Sequence, residues 1–219
     1  MYPCCIFDLD GTLINTIYAL TKTVNLTLDQ YGLGPIDDEQ TKIFVGDGYR
    51  KLLERALIHC GDSNLVHLPD ALMTYPGFFK ENCLYRIEAY DGIRELLAYL
   101  KSQGIRIAVC SNKAQDRAEE NLEAVFGAGY FDLILGEQTG IAKKPDPSGV
   151  FLIAETFGLQ PSDCLYLGDT NTDMKTGLAA GMDTVGVTWG FRTREELEAY
   201  HPRYVLDDPR EVIPIMAGE

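Results

Sequence analysis

The chain has 219 residues, 46% of them hydrophobic and 10% aromatic. That composition excludes a disordered chain and suits one globular domain, or one domain carrying a sizeable insertion. Thirty-three acidic residues against 19 basic ones leave a formal net charge of -14. The balance argues against a nucleic-acid partner, whose phosphates need clustered Lys and Arg, and any anionic ligand must be received by local cations.

The chain opens directly into an apolar run, Cys4-Cys5-Ile6-Phe7, with no basic flank before it. No secretory leader is expected. No apolar run approaches the ~20 residues of a membrane span, so neither a membrane partner nor a membrane location is expected. The six cysteines sit mostly in apolar stretches and read as small core residues of a reducing, cytoplasmic compartment. His59, Cys60, His67 and Cys83 do not follow the usual spacing of a zinc site.

In chain order, the first strand is expected at Cys4–Leu9. From about 16 to 89 the pattern is helical, with helices over Ile17–Tyr31, Asp38–Val45, Tyr49–Cys60 and Leu68–Asn82 and no convincing strand. After it, short apolar runs alternate with helical patterns. Strands are expected at Ile105–Cys110, Leu133–Leu135, Cys164–Leu167, Thr184–Val187 and Tyr204–Leu206. Helices are expected at Gly92–Gln103, Ala114–Phe126, Ser148–Phe157 and Asp173–Ala180. Runs that are apolar throughout, and not alternating, describe parallel strands covered on both faces. The fold class is therefore α/β: a doubly wound, Rossmann-like parallel sheet with an inserted all-helical subdomain. The predicted division is a core of 1–15 and 90–219 and a helical cap of 16–89, far longer than an ordinary strand–helix loop. Hinges are expected near 15–16 and 88–91.

Ligands of doubly wound sheets bind beyond the carboxyl ends of the strands. Here those ends carry Asp8-Leu9-Asp10-Gly11-Thr12, Ser111-Asn112 and Gly168-Asp169, followed by Asp173. A loop adds Lys143-Lys144-Pro145-Asp146-Pro147. Converging carboxylates repel, by about 1–4 kcal/mol for a pair ~4 Å apart. An all-oxygen set with few carboxylates suits Mg²⁺. Alternate strand residues share a face, so Asp8 and Asp10 both address the site while Leu9 points to the core. One carboxylate can attack phosphorus and the other can handle the leaving group's proton. Ser111, Asn112 and backbone N–H groups can hold phosphate oxygens, and Lys144 can neutralise developing charge.

These segments resemble the four motifs of the haloacid dehalogenase superfamily in its phosphatase branch. Asp8-Leu9-Asp10-Gly11-Thr12-Leu13 resembles the first, Ser111 the second, Lys144-Pro145-Asp146-Pro147 the third, and Gly168-Asp169-Thr170-Asn171-Thr172-Asp173 the fourth. They occur in the right order, with the helical insertion where that family places its first type of cap. The resemblance implies Asp8 as nucleophile and Mg²⁺ ligand, and Asp10 as general acid/base whose backbone carbonyl also touches the metal. It implies Ser111 and Lys144 on the transferred phosphoryl group, Asp169 on the metal, and Asp173 supporting behind it. An acid at Asp10 marks phosphatases and phosphomutases and argues against dehalogenation.

Within the superfamily the chain most resembles phosphoglycolate phosphatases. Gly46-Asp47-Gly48 with the helix that follows is similar to their cap segment, and Ser111-Asn112-Lys113 to their Thr-Asn-Lys stretch. The implied activity is Mg²⁺-dependent hydrolysis of a small phosphorylated metabolite through phospho-aspartate, with 2-phosphoglycolate the leading substrate. Sugar phosphates, nucleotides or pyrophosphate are alternatives, as is a β-phosphoglucomutase-like reaction or a non-catalytic binding module. Singly, each motif has a plain structural reading: a strand-ending turn, a solvated loop, or a helix cap. Gly46-Asp47-Gly48 reads as readily as a turn, Arg50 and Lys51 read as solvated helix cations, and Trp189 reads as a packing residue.

Overall fold

The computed structural model describes residues 2–218. The chain forms two compact units, one running to Asn15 and resuming at Ala89, the other Thr16–Glu88.

In the first unit, strand β1 is Cys4–Phe7, and two very short strands, β2 (Ile14–Asn15) and β3 (Glu88–Ala89), mark where the chain leaves and returns. There follow α5 (Ile93–Ser102), β4 (Arg106–Ala114), α6 (Gln115–Phe126), β5 (Leu133–Glu137), α7 (Ser148–Thr156), β6 (Cys164–Gly168) and α8 (Asn171–Ala180). The unit closes with β7 (Asp183–Val187), α9 (Arg194–Glu198), β8 (Tyr204–Leu206) and α10 (Val212–Ala217). Helices α1–α4 belong to the other unit.

The sheet runs β5-β4-β1-β6-β7-β8, and its pairings are parallel. Strand order reverses at β1, so the carboxyl ends of β4, β1 and β6 border the switch point where such sheets open a crevice. Both faces are covered, which is why the strands carry no polar alternation. Cys4 and Ile6 join a buried cluster with Val150 and Ile153 of α7 and with Ala180. Cys5 turns the other way, its sulfur 3.6 Å from Met216 of α10. Four buried apolar residues of α5, Ile93, Leu96, Leu97 and Leu100, follow helical spacing. The helix gives way to Gly104, whose φ of +70° is cheap only for glycine.

The second unit is helical: α1 (Ile17–Asp29), α2 (Asp38–Phe44), α3 (Tyr49–His59) and α4 (Leu68–Asn82). Its core includes Val24, Leu28, Leu52, Leu53, Leu57 and Tyr75. Asp37 and Gln40 form a reciprocal capping box that starts α2. Among the described residues, no helix is long and apolar enough to cross a membrane.

Two differences from the sequence-based elements bear on function. The strand expected to end at Cys110 continues to Ala114, and its register with β5 shifts between Cys110 and Ala114. Ser111, Asn112 and Lys113 therefore stand within the strand and not just past its end. Secondly, α8 starts at Asn171, so Thr170 and Asp173 together cap it. The two-residue strands, α9 and α10 went unexpected, because segments of two to six residues are too short to display a period.

Ile6 lies at the middle of the central strand and is fully buried. Ile6→Ala should lower unfolding free energy by about 2–5 kcal/mol, read from the urea midpoint at unchanged m-value. A loss near zero would mean that this face of the sheet is not close-packed.

Candidate active site

Asp8 follows β1 directly, and its N–H still donates to the Leu167 carbonyl at 2.9 Å, so the nucleophile candidate rides on sheet backbone. Leu9 is fully buried, while Asp8 is 7% exposed at the strand end. The chain then turns at Gly11, φ +89°. Thr12 sends its hydroxyl to Asp169 Oδ1 at 2.9 Å. Asp169 follows β6 as Asp8 follows β1. Carboxylate oxygens of Asp8, Asp169 and Asp173, one from each, lie within 4.8 Å of one another, and the three residues are buried.

Lys144 closes this group. Its Nζ is 2.8 Å from Asp8 Oδ1 and 2.7 Å from Asp173 Oδ1, and it also reaches the Tyr166 hydroxyl at 3.2 Å. Tyr166 donates to the same Asp173 oxygen at 2.8 Å. The other Asp173 oxygen accepts from the Thr170 N–H at 3.0 Å and the Thr170 hydroxyl at 2.6 Å. Both oxygens of Asp173 are thus engaged by protein donors, and its work is to hold Lys144 and cap α8. A second buried lysine, Lys113, forms an ion pair with Asp10. Ser111 is 7% exposed, and its hydroxyl accepts from the Lys113 N–H at 3.2 Å. Asn112 clamps the lysine loop: its amide donates to the Lys144 carbonyl at 2.9 Å and accepts from the Lys144 N–H at 2.8 Å.

Burial pushes the Asp8 carboxyl up to about 7, helped by the Asp173 charge and opposed by Lys144. Asp169 is raised well above the ordinary carboxylate range, first by burial and then by Asp8 and Asp173, against the Phe191 N–H and Thr12 hydroxyl. For Lys144, burial alone favours the neutral amine, but Asp173 and Asp8 outweigh it and hold the ammonium above its usual range.

One segment went unrecognised in the sequence. Gly190 sits so close to Asp169 that a Cβ there would lie 2.4 Å from the Asp169 Cβ and from the Gly11 carbonyl oxygen. Glycine is the residue that permits this approach. The next residue, Phe191, donates its N–H to Asp169 Oδ2 at 2.9 Å. Trp189, expected only to pack, also donates its indole N–H to the Thr12 carbonyl at 3.0 Å. A Gly after Trp at a strand end was the available signal, but one dipeptide carries little information.

These residues fit a divalent cation. The four carboxyl groups of Asp8, Asp10, Asp169 and Asp173 outnumber the two ammonium groups of Lys113 and Lys144 by two, so the group can be fully ionised only with further positive charge beside it. Asp169 accepts one protein hydrogen bond on each oxygen and keeps lone pairs for a metal.

Gly46, Asp47 and Gly48 lie in the helical unit. There Gly46 and Gly48 have φ of +120° and +83°, and Asp47 is ion-paired with Arg55, which also donates to the Phe44 carbonyl at 2.6 Å. Arg50 and Lys51 both reach Glu54 on the same helix.

Residues 5–187 match the family model described as haloacid dehalogenase-like hydrolase. The chain belongs to this family. Phosphoglycolate phosphatase of Aquifex aeolicus is 32% identical over 211 residues, covering 96% of this chain and 95% of its own length. Phosphoglycolate phosphatase of Pseudomonas putida is 31% identical, covering 95% and 77%. A crystal structure from Lactobacillus delbrueckii subsp. bulgaricus, described as a candidate phosphoglycolate phosphatase, superposes with a TM-score of 0.93 at 27% identity, covering 100% and 99%. This haloacid dehalogenase-like hydrolase is a phosphatase.

The raised Asp8 pKa has a consequence for stability. Between the ordinary carboxylate pKa and about 7 the folded state binds more protons here than the unfolded one, so this group's contribution falls as pH rises through that window. With chelator present, Asp8→Asn should therefore be more stable than the wild type at pH 7, and the gap should shrink toward pH 4. Thermal melts of both proteins across this range check it. A gap independent of pH would place the Asp8 carboxylate in a better solvated site.

Proposed function

We propose that the protein is a magnesium-dependent phosphomonoesterase that works through a phospho-aspartate on Asp8, with 2-phosphoglycolate its substrate. The observation that carries the reading is the division of labour at the end of β1: Asp8 faces Lys144 and Asp169, while Asp10 is paired separately with Lys113. A nucleophile and a proton carrier on one strand, with different electrostatic partners, is what a two-step phosphoryl transfer needs. The substrate rests on the family and on the relatives named for phosphoglycolate.

In the first step an Asp8 carboxylate oxygen forms the bond to phosphorus as the bond to the leaving oxygen breaks, and Asp10 gives that oxygen its proton. In the second, Asp10 takes a proton from water, the water oxygen bonds to phosphorus, and the Asp8–phosphorus bond breaks to release phosphate. Ser111 and Lys144 hold the phosphoryl oxygens. Lys144 is fixed for this by Asp173, Tyr166 and Asn112, so little reorganisation is required as charge develops. Asp8, Asp169 and the Asp10 carbonyl would hold magnesium, which when bound would supply positive charge that offsets repulsion between carboxylate and phosphate. Thr16–Glu88 takes the role of the family's helical cap, with Gly46-Asp47-Gly48 contributing to substrate selection.

Phosphate release from 2-phosphoglycolate, sugar phosphates, nucleotides and pyrophosphate tests this, with Mg²⁺ and with chelator. Release should be metal-dependent, fastest on 2-phosphoglycolate, and reduced about a thousandfold or more in Asp8→Asn. Equal rates across the panel would remove the substrate and keep the chemistry. Sugar-phosphate isomerisation without net phosphate release would identify a mutase, and an active Asp8→Asn protein would end the phospho-aspartate mechanism.

A further inference from the structure

Two lysines are buried in the site, and only Lys144 has a place in the reaction just described. Lys113 is as deeply buried, with 4% of its side chain exposed, the same as Lys144. Lys144 contacts Asp8 and Asp173, and Lys113 contacts Asp10. Burying an ammonium is expensive, and an ion pair of this kind typically adds little net stability. Lys113 is also rigidly held. It stands on the extension of β4, where its carbonyl oxygen occupies space that a Cβ on Gly136 of β5 would approach to 2.7 Å. A cation buried at this cost, on fixed strand backbone and beside a carboxylate whose own side chain is 16% exposed, is placed to serve the reaction as well as the fold.

Its position defines that use. In the reading above, Asp10 must come within ~2.6–3.2 Å of the leaving oxygen to transfer its proton. The Lys113 ammonium touches the same carboxylate, so it lies within about 6 Å of that oxygen. The phosphoryl group itself is served by Lys144 and Ser111 on the Asp8 side. Lys113 is left facing the departing group.

We infer that Lys113 is a specificity-determining residue: a fixed cation in the sheet-bearing unit that selects phosphate esters whose leaving group carries a carboxylate beside the ester oxygen. In 2-phosphoglycolate one methylene separates the ester oxygen from the carboxylate, so that anion reaches the ammonium while the oxygen meets Asp10. An ester with a neutral leaving group of the same length offers Lys113 no such anion. The inference rests on the proposed phosphatase mechanism, and it assigns part of substrate choice to β4, outside the helical unit.

The test compares 2-phosphoglycolate with ethyl phosphate, which keeps the two-carbon leaving group and lacks the carboxylate. Lys113→Met replaces the ion pair by apolar volume and should fold, with a melting temperature at or above the wild type in chelator. It should lower kcat/KM for 2-phosphoglycolate about 10- to 100-fold more than for ethyl phosphate, most of the difference in KM. Lys113→Arg should restore most of the preference. Binding without turnover gives an independent reading: by calorimetry, Asp8→Asn should hold 2-phosphoglycolate, and adding Lys113→Met should weaken it by a similar factor. Equal losses on both esters, confined to kcat, would overturn the inference and make Lys113 a positioning residue for Asp10. An undiminished preference in Lys113→Met would overturn it while leaving the phosphatase mechanism standing. A wild type without preference between the esters would overturn both this inference and the 2-phosphoglycolate assignment. No release from either ester by the wild type, with no binding to Asp8→Asn, would overturn the mechanism and this inference together.

Discussion

Four carboxylates gather at the carboxyl ends of two neighbouring strands and the helix after them, and two buried lysines match half of their charge. Like charges this close, with water largely excluded, cannot all remain ionised without compensation. The arrangement around them follows from that constraint. Asp173 has four protein donors on its two oxygens and serves as an anchor. Asp169 is oriented by one donor on each oxygen and stays able to ligate. Asp8 has Lys144 and an otherwise unfavourable environment, which burial turns into a raised pKa. A carboxylate that the protein alone stabilises poorly is suited to a metal and to a phosphoryl group.

The scaffold tolerates this because the charged groups stand on stiff backbone. Asp8 and Asp169 extend β1 and β6, and Ser111 to Lys113 extend β4, so their spacing is inherited from strand pairing. Loops are then tied to the strands by bonds between distant parts of the chain. Asn112 pins the Lys144 backbone, Trp189 pins Thr12, and Phe191 pins Asp169. A site that must hold groups to within fractions of an ångström gains more from such cross-links than from any single strong contact.

The net charge of -14 sets the wider electrostatic condition. The general field repels an anionic substrate, so attraction has to be local and short-ranged. The buried lysines of the first unit, Lys113 and Lys144, are cations of that local kind. Several basic residues of the helical unit are already paired on its surface, such as Arg50 and Lys51 with Glu54 and Arg55 with Asp47, where ion pairs contribute little.

The sequence by itself determined the α/β class, the strand runs, the helical character of the long segment after β1, and which carboxylates and hydroxyl lie at or just after strand ends, with a lysine in a separate loop. Those are properties of contiguous residues: apolar periods, caps and short motifs are written locally, so Asp8, Asp10, Ser111, Lys144, Asp169 and Asp173 could be read from it. Tertiary structure alone decided what each of them touches. Lys113 and Asp10 are 103 residues apart, and Trp189 and Thr12 are 177 apart. Nothing in either neighbourhood announces its partner. The continuation of β4 past Cys110 was likewise set by pairing with β5 and not by its own polar residues, Ser111, Asn112 and Lys113, which read as the end of a strand. Contacts between distant segments depend on how strands are ordered in the sheet, and that order is a property of the packed whole.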